Sequence, residues 1–394
     1  MKESERLVLV DNTLREGEQT PGVAFSAEQK LEILGLLVAA GITFVDAAFP
    51  ESSEDERRFL GLAALRFPDV ALGASCRLRA GSLQLAADSG ARELFVVVPV
   101  SDMHLEQRLG LDRERLLARM AEALVPPLPA RVNVALEDAF RADPTFVLQA
   151  VRRAVELGAS RIFLADTVGV VLPWEVGGLV GQVLEALPSG TALGTHFHND
   201  FGLATANTLA ALTAGATHPT AAVNGLGERA GNSDLAQVAA AAELLLGRPA
   251  GVRLDRLRHL SARIAELTGI VVPQTAPLTG FNAFRHTSGI HVHGMLRDRH
   301  TYEGADPERF GTEHSLVLGR HSGRRHLRHL LPGLSEKRLG QLLQAVKLRA
   351  LRRERGDGAA ELLDRLDRFN RECLGIGEEE LAELLEGLPE DEER

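Results

Sequence analysis

A chain of 394 residues with 45% hydrophobic content and a net charge of −10 can bury a large core, yet offers no basic surface for gripping nucleic acid. Its apolar runs break too soon to span a bilayer, and two cysteines, Cys76 and Cys373, are too few for a disulfide framework or a thiolate metal site. The first residues enter a strand pattern at once and leave no room for a signal peptide, so a cytoplasmic location is expected.

From residue 7 to about residue 245, short β-rich runs alternate with longer amphipathic segments, the rhythm of parallel strands joined by crossover helices. The runs Leu7–Asp11, Phe44–Ala48, Ala71–Cys76, Leu94–Val98, Val132–Leu136, Arg161–Ala165, Ala192–His196 and Thr220–Val223 are predicted strands. Eight such units close a (β/α)8 TIM barrel, the fold class expected here. Between them, Ser26–Ala40 reads as a helix capped by Ser26, and Pro144–Leu157 as a helix closed by Gly158. Beyond residue 250 the alternation fades into a helical stretch, a Pro/Thr-rich linker at Val272–Pro277 and a Gly/His-rich segment from Gly280 to Gly323. The expected division is a barrel catalytic domain over 1–272, a linker and small subdomain over 273–330 that completes the active site, and a mostly helical extension over 331–394. That extension holds a basic stretch, Lys347–Arg355, read as a solvated helix face, and ends in an acidic tail, Glu390–Glu393.

Polar residues cluster where the apolar runs end. The first run passes into Asp11-Asn12-Thr13-Leu14-Arg15-Glu16, the third into Arg77, the fifth into Glu137-Asp138 and the sixth into Asp166-Thr167. The seventh passes into His196-Phe197-His198-Asn199-Asp200, and the eighth into Asn224-Gly225-Leu226-Gly227-Glu228-Arg229. In a barrel these ends share one rim, where barrel enzymes do their chemistry. Two imidazoles two residues apart at a strand end point to the same side, and Glu16 arrives from another strand end. Two neutral imidazoles and a carboxylate leave coordination positions open for a substrate on a divalent metal: zinc, manganese or magnesium. Asn199 and Asp200 are candidates for orienting the rings, and Arg15 for stabilising a substrate oxyanion. The stretch from Glu16 to Gln19, followed by Pro21-Gly22, reads as a loop rather than a helix.

The run Asp11–Gln19, the block His196–Ala204 and the block Asn224–Asn232 together resemble the Claisen-type acyl-CoA synthases of the metal-dependent TIM-barrel superfamily, the isopropylmalate, citramalate and homocitrate synthases. Further pieces, Val98–Asp102, Glu137–Asp143, Ala165–Val170 and Ser315–Gly323, look most like the nitrogen-fixation branch of the homocitrate synthases. The resemblance implies condensation of acetyl-CoA with 2-oxoglutarate in a cytoplasmic homodimer that binds no nucleic acid and no membrane. It implies that Glu16, His196 and His198 ligate the metal, that Arg15 contacts the 2-oxo group, and that Thr167 and Gln19 bind the oxo acid. It also implies that Glu137 and Glu228 shape the active site, that Asn232 stands behind the metal ligands, and that His291 and Tyr302 take part in proton transfer from a neighbouring subunit.

The chain departs from lysine-pathway relatives, which carry an Arg and a Ser ahead of the Glu-Asp pair, in reading Asn133-Val134-Ala135-Leu136-Glu137-Asp138. His104 is similar to isopropylmalate synthases instead, and for a distal carboxylate Arg77, then Arg108, are the candidate partners. Rival readings are an isopropylmalate, citramalate or phosphonomethylmalate synthase, an acyl-CoA lyase, and a non-catalytic subunit. The lyases use a cysteine in the loop after strand eight, and Gly225–Asn232 has none.

Overall fold

The structure, a computed structural model, describes residues 7–352 and 356–386. Eight parallel strands close a barrel in sequence order: β1 (Val10–Asp11), β2 (Phe44–Ala48), β3 (Ala71–Arg77), β4 (Glu93–Pro99), β5 (Arg131–Glu137), β6 (Arg161–Asp166), β7 (Ala192–Phe197) and β8 (His218–Ala221). The outer ring is α1 (Ala27–Ala39), α2 (Glu54–Arg66), α3 (Ala80–Asp88), α4 (Arg113–Ala123), α5 (Pro144–Glu156), α6 (Pro173–Ala186), α7 (Ala204–Thr213) and α8 (Leu235–Leu244). The chain is therefore a TIM barrel. After it come α9 (Leu254–Thr268), a two-stranded parallel ribbon of β9 (Arg285–His286) and β10 (Ser315–Leu316) flanking α10 (Gly289–Met295), then α11 (Arg324–Leu330), α12 (Glu336–Leu351), α13 (Gly356–Glu372) and α14 (Glu378–Glu386). Residues 353–355 of the basic stretch and the acidic tail Glu390–Glu393 lie outside the described residues. Among the described residues no helix is long and apolar enough to cross a membrane.

Local chemistry accounts for the element ends. Ser26 accepts from the Gln29 amide while Gln29 reaches back to the Ser26 N–H, a capping box that starts α1. Asp143 caps α5, Pro144 occupies its first turn, and Gly158 takes a left-handed φ of 91° just beyond it. The eighth strand runs from His218 to Ala221, two residues earlier than expected, because Thr13 Oγ1 accepts the Val223 N–H at 2.8 Å and draws the chain out of the ladder. The Glu16–Gln19 stretch is not an open loop: Gly17–Gln19 forms one turn of 3-10 helix, with Gln19 N–H donating to Glu16 O at 3.1 Å.

Lys30 of α1 is fully buried, its ammonium held by Glu18 at 2.5 Å and by Glu56. Glu18 also accepts from Phe25 N–H and Glu56 from Phe49 N–H, so one buried cation ties the loop after β1 to α2 and the end of β2.

Inside the barrel the side chains form layers. Toward the N-terminal end Glu93 accepts from Asn133 at 3.1 Å and from Arg161 at 2.9 Å. Above lies an aromatic plug: Phe44 and Phe95 have ring centroids 5.7 Å apart, and Phe95 meets Phe163 edge-on at 5.3 Å. Two glycines make room for it. A Cβ on Gly73 would stand 2.6 Å from the Phe95 ring, and one on Gly194 2.3 Å from the Phe163 ring. Gly194→Ala is therefore expected to lower the unfolding free energy by about 1–3 kcal/mol through overpacking, read from the midpoint of a urea transition; an unchanged midpoint would mean that the plug repacks freely.

Candidate active site

Glu16 follows β1, and His196 and His198 stand at the end of β7, so the barrel's C-terminal rim brings together groups separated by 180 positions in the chain. One ligand atom from each lies within 4.8 Å of the other two. The Nε2 atoms of His196 and His198 are 3.2 Å apart, and His198 Nε2 is 3.8 Å from Glu16 Oε1. Burial, followed by His198 and Arg15, holds the His196 imidazole well below its ordinary pKa; burial, then Arg229, pushes His198 down to about 4. Both rings are thus neutral near pH 7, with one nitrogen of each close to the other and to a carboxylate. That donor set fits a divalent cation of the zinc or manganese kind and leaves further positions open.

The surroundings fix these groups. Thr220 Oγ1 is 2.8 Å from His196 Nδ1, and the Asn12 amide approaches the same nitrogen at 3.4 Å. His198 forms an isolated bridge with Asn232, whose amide nitrogen donates to Leu226 O at 2.7 Å. Arg15 donates its Nε to Asp46 at 2.8 Å and also contacts Glu16, so the guanidinium lies beside the cluster with a carboxylate behind it. Asp46 was not singled out in the sequence. Its signal was a carboxylate within the otherwise apolar strand run Phe44–Ala48.

Glu16, His196, His198, Arg15, Asp46 and Thr220 line a cavity of about 380 Å³ that also takes in Gln19, Glu137, Thr167, Glu228 and Arg229. Its floor is Phe95, Val97, Ala135 and Phe163, with Ser75 at one side hydrogen-bonded to Asp46 at 3.1 Å. Backbone strain gathers at the same rim: Asp138, Asn224 and Arg229 adopt φ of 61°, 57° and 57°.

A family profile described as HMGL-like matches residues 6–264. The chain belongs to the HMGL-like family. A second profile, described as a homocitrate synthase post-HMGL domain-like region, matches residues 278–353. Relatives of this HMGL-like chain include the 2-isopropylmalate synthase of Sulfolobus acidocaldarius, 36% identical over 87% of this chain and 91% of that one. Another is a homocitrate synthase of Methanopyrus kandleri, 38% identical over 82% of this chain and 81% of that one. The hydroxymethylglutaryl-CoA lyase of Pseudomonas aeruginosa shares the fold, with a TM-score of 0.61, 22% identity and coverage of 69% of this chain and 96% of that one.

Other expected site residues of this HMGL-like chain make different contacts or lie outside this cavity. Asn199 and Asp200 make no hydrogen bond to either imidazole. Asn199 Oδ1 accepts from Ala204 N–H at the start of α7, and Asp200 is forked by Arg229 at 2.8 and 3.0 Å, which holds its carboxyl below the usual range. Thr220 and Asn12 are the groups that reach the His196 ring. Thr167 Oγ1 accepts from Asp138 N–H at 2.9 Å while its carbonyl accepts from Arg229. Arg77 and Arg108 do not line the metal-site cavity. Both face a neighbouring one of about 480 Å³, with Arg79, Arg119 and the buried Cys76, whose thiol is pushed up by burial. Arg77 lies 3.4 Å from Glu51, and Arg108, on a π-helical turn over His104–Leu109, forks onto Glu137. Val97 and Glu137 border both cavities. His104 packs 3.7 Å from Glu137 and is in neither lining. His291 and Tyr302 stack on each other at 4.1 Å, exposed and outside the lining of the metal-site cavity.

Calorimetric titration with Mn²⁺ or Zn²⁺ is expected to give one tight site per chain and a raised Tm, with Glu16→Gln or His198→Asn weakening it at least about tenfold. Equal affinity in both variants would place the ion elsewhere.

Proposed function

We propose that this chain joins the acetyl group of acetyl-CoA to the keto carbon of a small 2-oxo acid and releases free CoA, a reading in keeping with relatives named 2-isopropylmalate synthase and homocitrate synthase. The observation that carries the reading is the convergence of Glu16, His196 and His198 beside Arg15 at the mouth of one cavity. A zinc, manganese or magnesium ion held by those three residues would supply polarisation of the ketone. Thr167 and Gln19 border the space for the acid's carboxylate. A base takes a proton from the acetyl methyl group, the resulting carbon attacks C2 of the oxo acid, and the ketone's electron pair becomes an alkoxide facing Arg15. Water then cleaves the thioester, giving a carboxylate and the CoA thiol. Both oxygens of Glu137 are occupied by the Arg108 fork, which favours His291 with Tyr302 as the base. These two lie outside the cavity, so they serve the site of a second copy in a homodimer, and the segment 273–330 completes the partner's site in this reading.

For the acid itself, the floor of Phe95, Val97, Ala135 and Phe163 favours a short or branched apolar tail, as in 2-oxoisovalerate or pyruvate. The cations in that lining, Arg15 and Arg229, are already forked to carboxylates. A second reading, homocitrate synthesis of the nitrogen-fixation type, has support of its own. A distal carboxylate of 2-oxoglutarate passing Val97 would enter the neighbouring cavity, where Arg77 and Arg108 stand together.

A panel of 2-oxoisovalerate, pyruvate, 2-oxoglutarate, oxaloacetate and phosphonopyruvate, assayed by thiol release from acetyl-CoA with metal-loaded protein, separates these. Fastest turnover is expected with one of the first two; a preference for 2-oxoglutarate that Arg108→Gln abolishes would establish the second reading, and inertness with all five would overturn the enzyme assignment. Mixing inactive His196→Ala and Tyr302→Phe chains under dissociating conditions is expected to restore about a quarter of wild-type activity if sites are shared between copies, on random reassortment into a symmetric dimer. No recovery would assign both residues to one copy's site.

A further inference from the structure

The stacked pair rests on a cluster that the reaction above does not use. Glu303 directly follows Tyr302, and its side chain is 2% exposed, yet neither carboxylate oxygen has a hydrogen-bond partner among the described residues. Two imidazoles face it: His286 Nε2 at 3.7 Å, itself buried without a partner, and His314 Nδ1 at 3.8 Å. These distances are too long for hydrogen bonds but put the carboxylate's charge beside both rings, where it opposes the burial that lowers His286. His286 ends β9 and His314 directly precedes β10, so the carboxylate sits across the ribbon formed by the pairing of Ser315 with Arg285 and Leu316 with His286. On its other side the His286 ring lies 6.5 Å from that of His291, which stacks on Tyr302 at an interplanar angle of 17°. The contacts close a circuit: Glu303 to His286, His286 to His291, His291 to Tyr302, and Tyr302 back to Glu303 along the chain. Gly294 leaves the space for it, since a Cβ there would stand 2.7 Å from the Tyr302 ring.

We propose that Glu303 is a positioning residue that holds His291 and Tyr302 in their stacked arrangement by anchoring His286 and His314. Its importance for turnover rests on the reading of that pair as the proton-transfer groups; its effect on the stack does not. Within one chain the pair is exposed and has no surrounding core to fix its rings, and the buried carboxylate facing His286 and His314 supplies that rigidity before a second copy docks.

Tyr302 is the only tyrosine in the chain, so ring-labelled tyrosine gives one NMR signal that reports the stack directly. In the full chain, Glu303→Gln is expected to move that signal most of the way to its position in His291→Ala, where no stack exists, and Glu303→Asp to return it part-way. In thiol-release assays Glu303→Gln is expected to lower kcat at least about tenfold with KM for the acid within about threefold, the pattern of a lost transition-state arrangement. Should Glu303→Gln fail to fold, His314→Gln at its half-exposed position is expected to displace the signal in the same direction. A Tyr302 signal unmoved in the folded variant overturns the proposal. A displaced signal with full activity in Tyr302→Phe would instead leave the positioning intact and remove the catalytic reading of the pair.

Discussion

The seam where β1 meets β8 is the contact on which the site depends. It is short: Val10 pairs with Thr220 and Asp11 with Ala221, with one backbone bond on either side, from Val8 N–H to Thr217 O at 2.9 Å and from Asn12 N–H to Ala221 O at 3.0 Å. Side chains reinforce it. Asp11, wholly buried, binds Thr13 through its amide at 3.0 Å and its hydroxyl at 2.7 Å, and Thr13 in turn accepts the Val223 N–H. Burial pushes the Asp11 carboxyl up to about 7 against the pull of those bonds, with Asp46 adding to the rise. The residues of this seam, Asn12 and Thr220, are also the ones that reach His196. Closing the barrel and aiming the ligand are therefore one event, and Glu16 arrives at the histidines because the chain leaves β1 at that junction.

Around that junction the charges are arranged in opposed pairs. Arg15 is shared by Asp46 and Glu16, Arg108 by Glu137, and Arg229 by Asp200. Each guanidinium is held in place before any substrate enters, which keeps the reorganisation needed during a reaction small. The cost is visible in the backbone, where three residues without the freedom of glycine take left-handed φ at the ends of β5 and β8.

Much of this was legible in the sequence. Alternation of buried strands with amphipathic helices identified the barrel, and polar groups at the strand ends marked the working rim, since both are patterns along the chain. Glu16, His196 and His198 met as expected because strand ends in a barrel have no other place to go. What escaped depended on relations across the chain. Asp46 became the partner of Arg15 only through the neighbouring ladder, and the Phe95–Phe163 floor depended on glycines one strand over, at Gly73 and Gly194. Asn199 and Asp200 follow His198 directly, but their hydrogen bonds go to the start of α7 and to Arg229, which sequence adjacency does not record. The placing of Arg77 beside Val97 likewise followed from strand register, and that of Arg108 from a π-helical turn after β4, neither of which a local motif records.

The aromatic plug makes the barrel a chamber with a single door. Phe44, Phe95 and Phe163 block the axis above the Glu93–Asn133–Arg161 layer, so nothing passes from one end to the other. Anything that reaches the space against Phe163 therefore enters and leaves by way of the C-terminal rim.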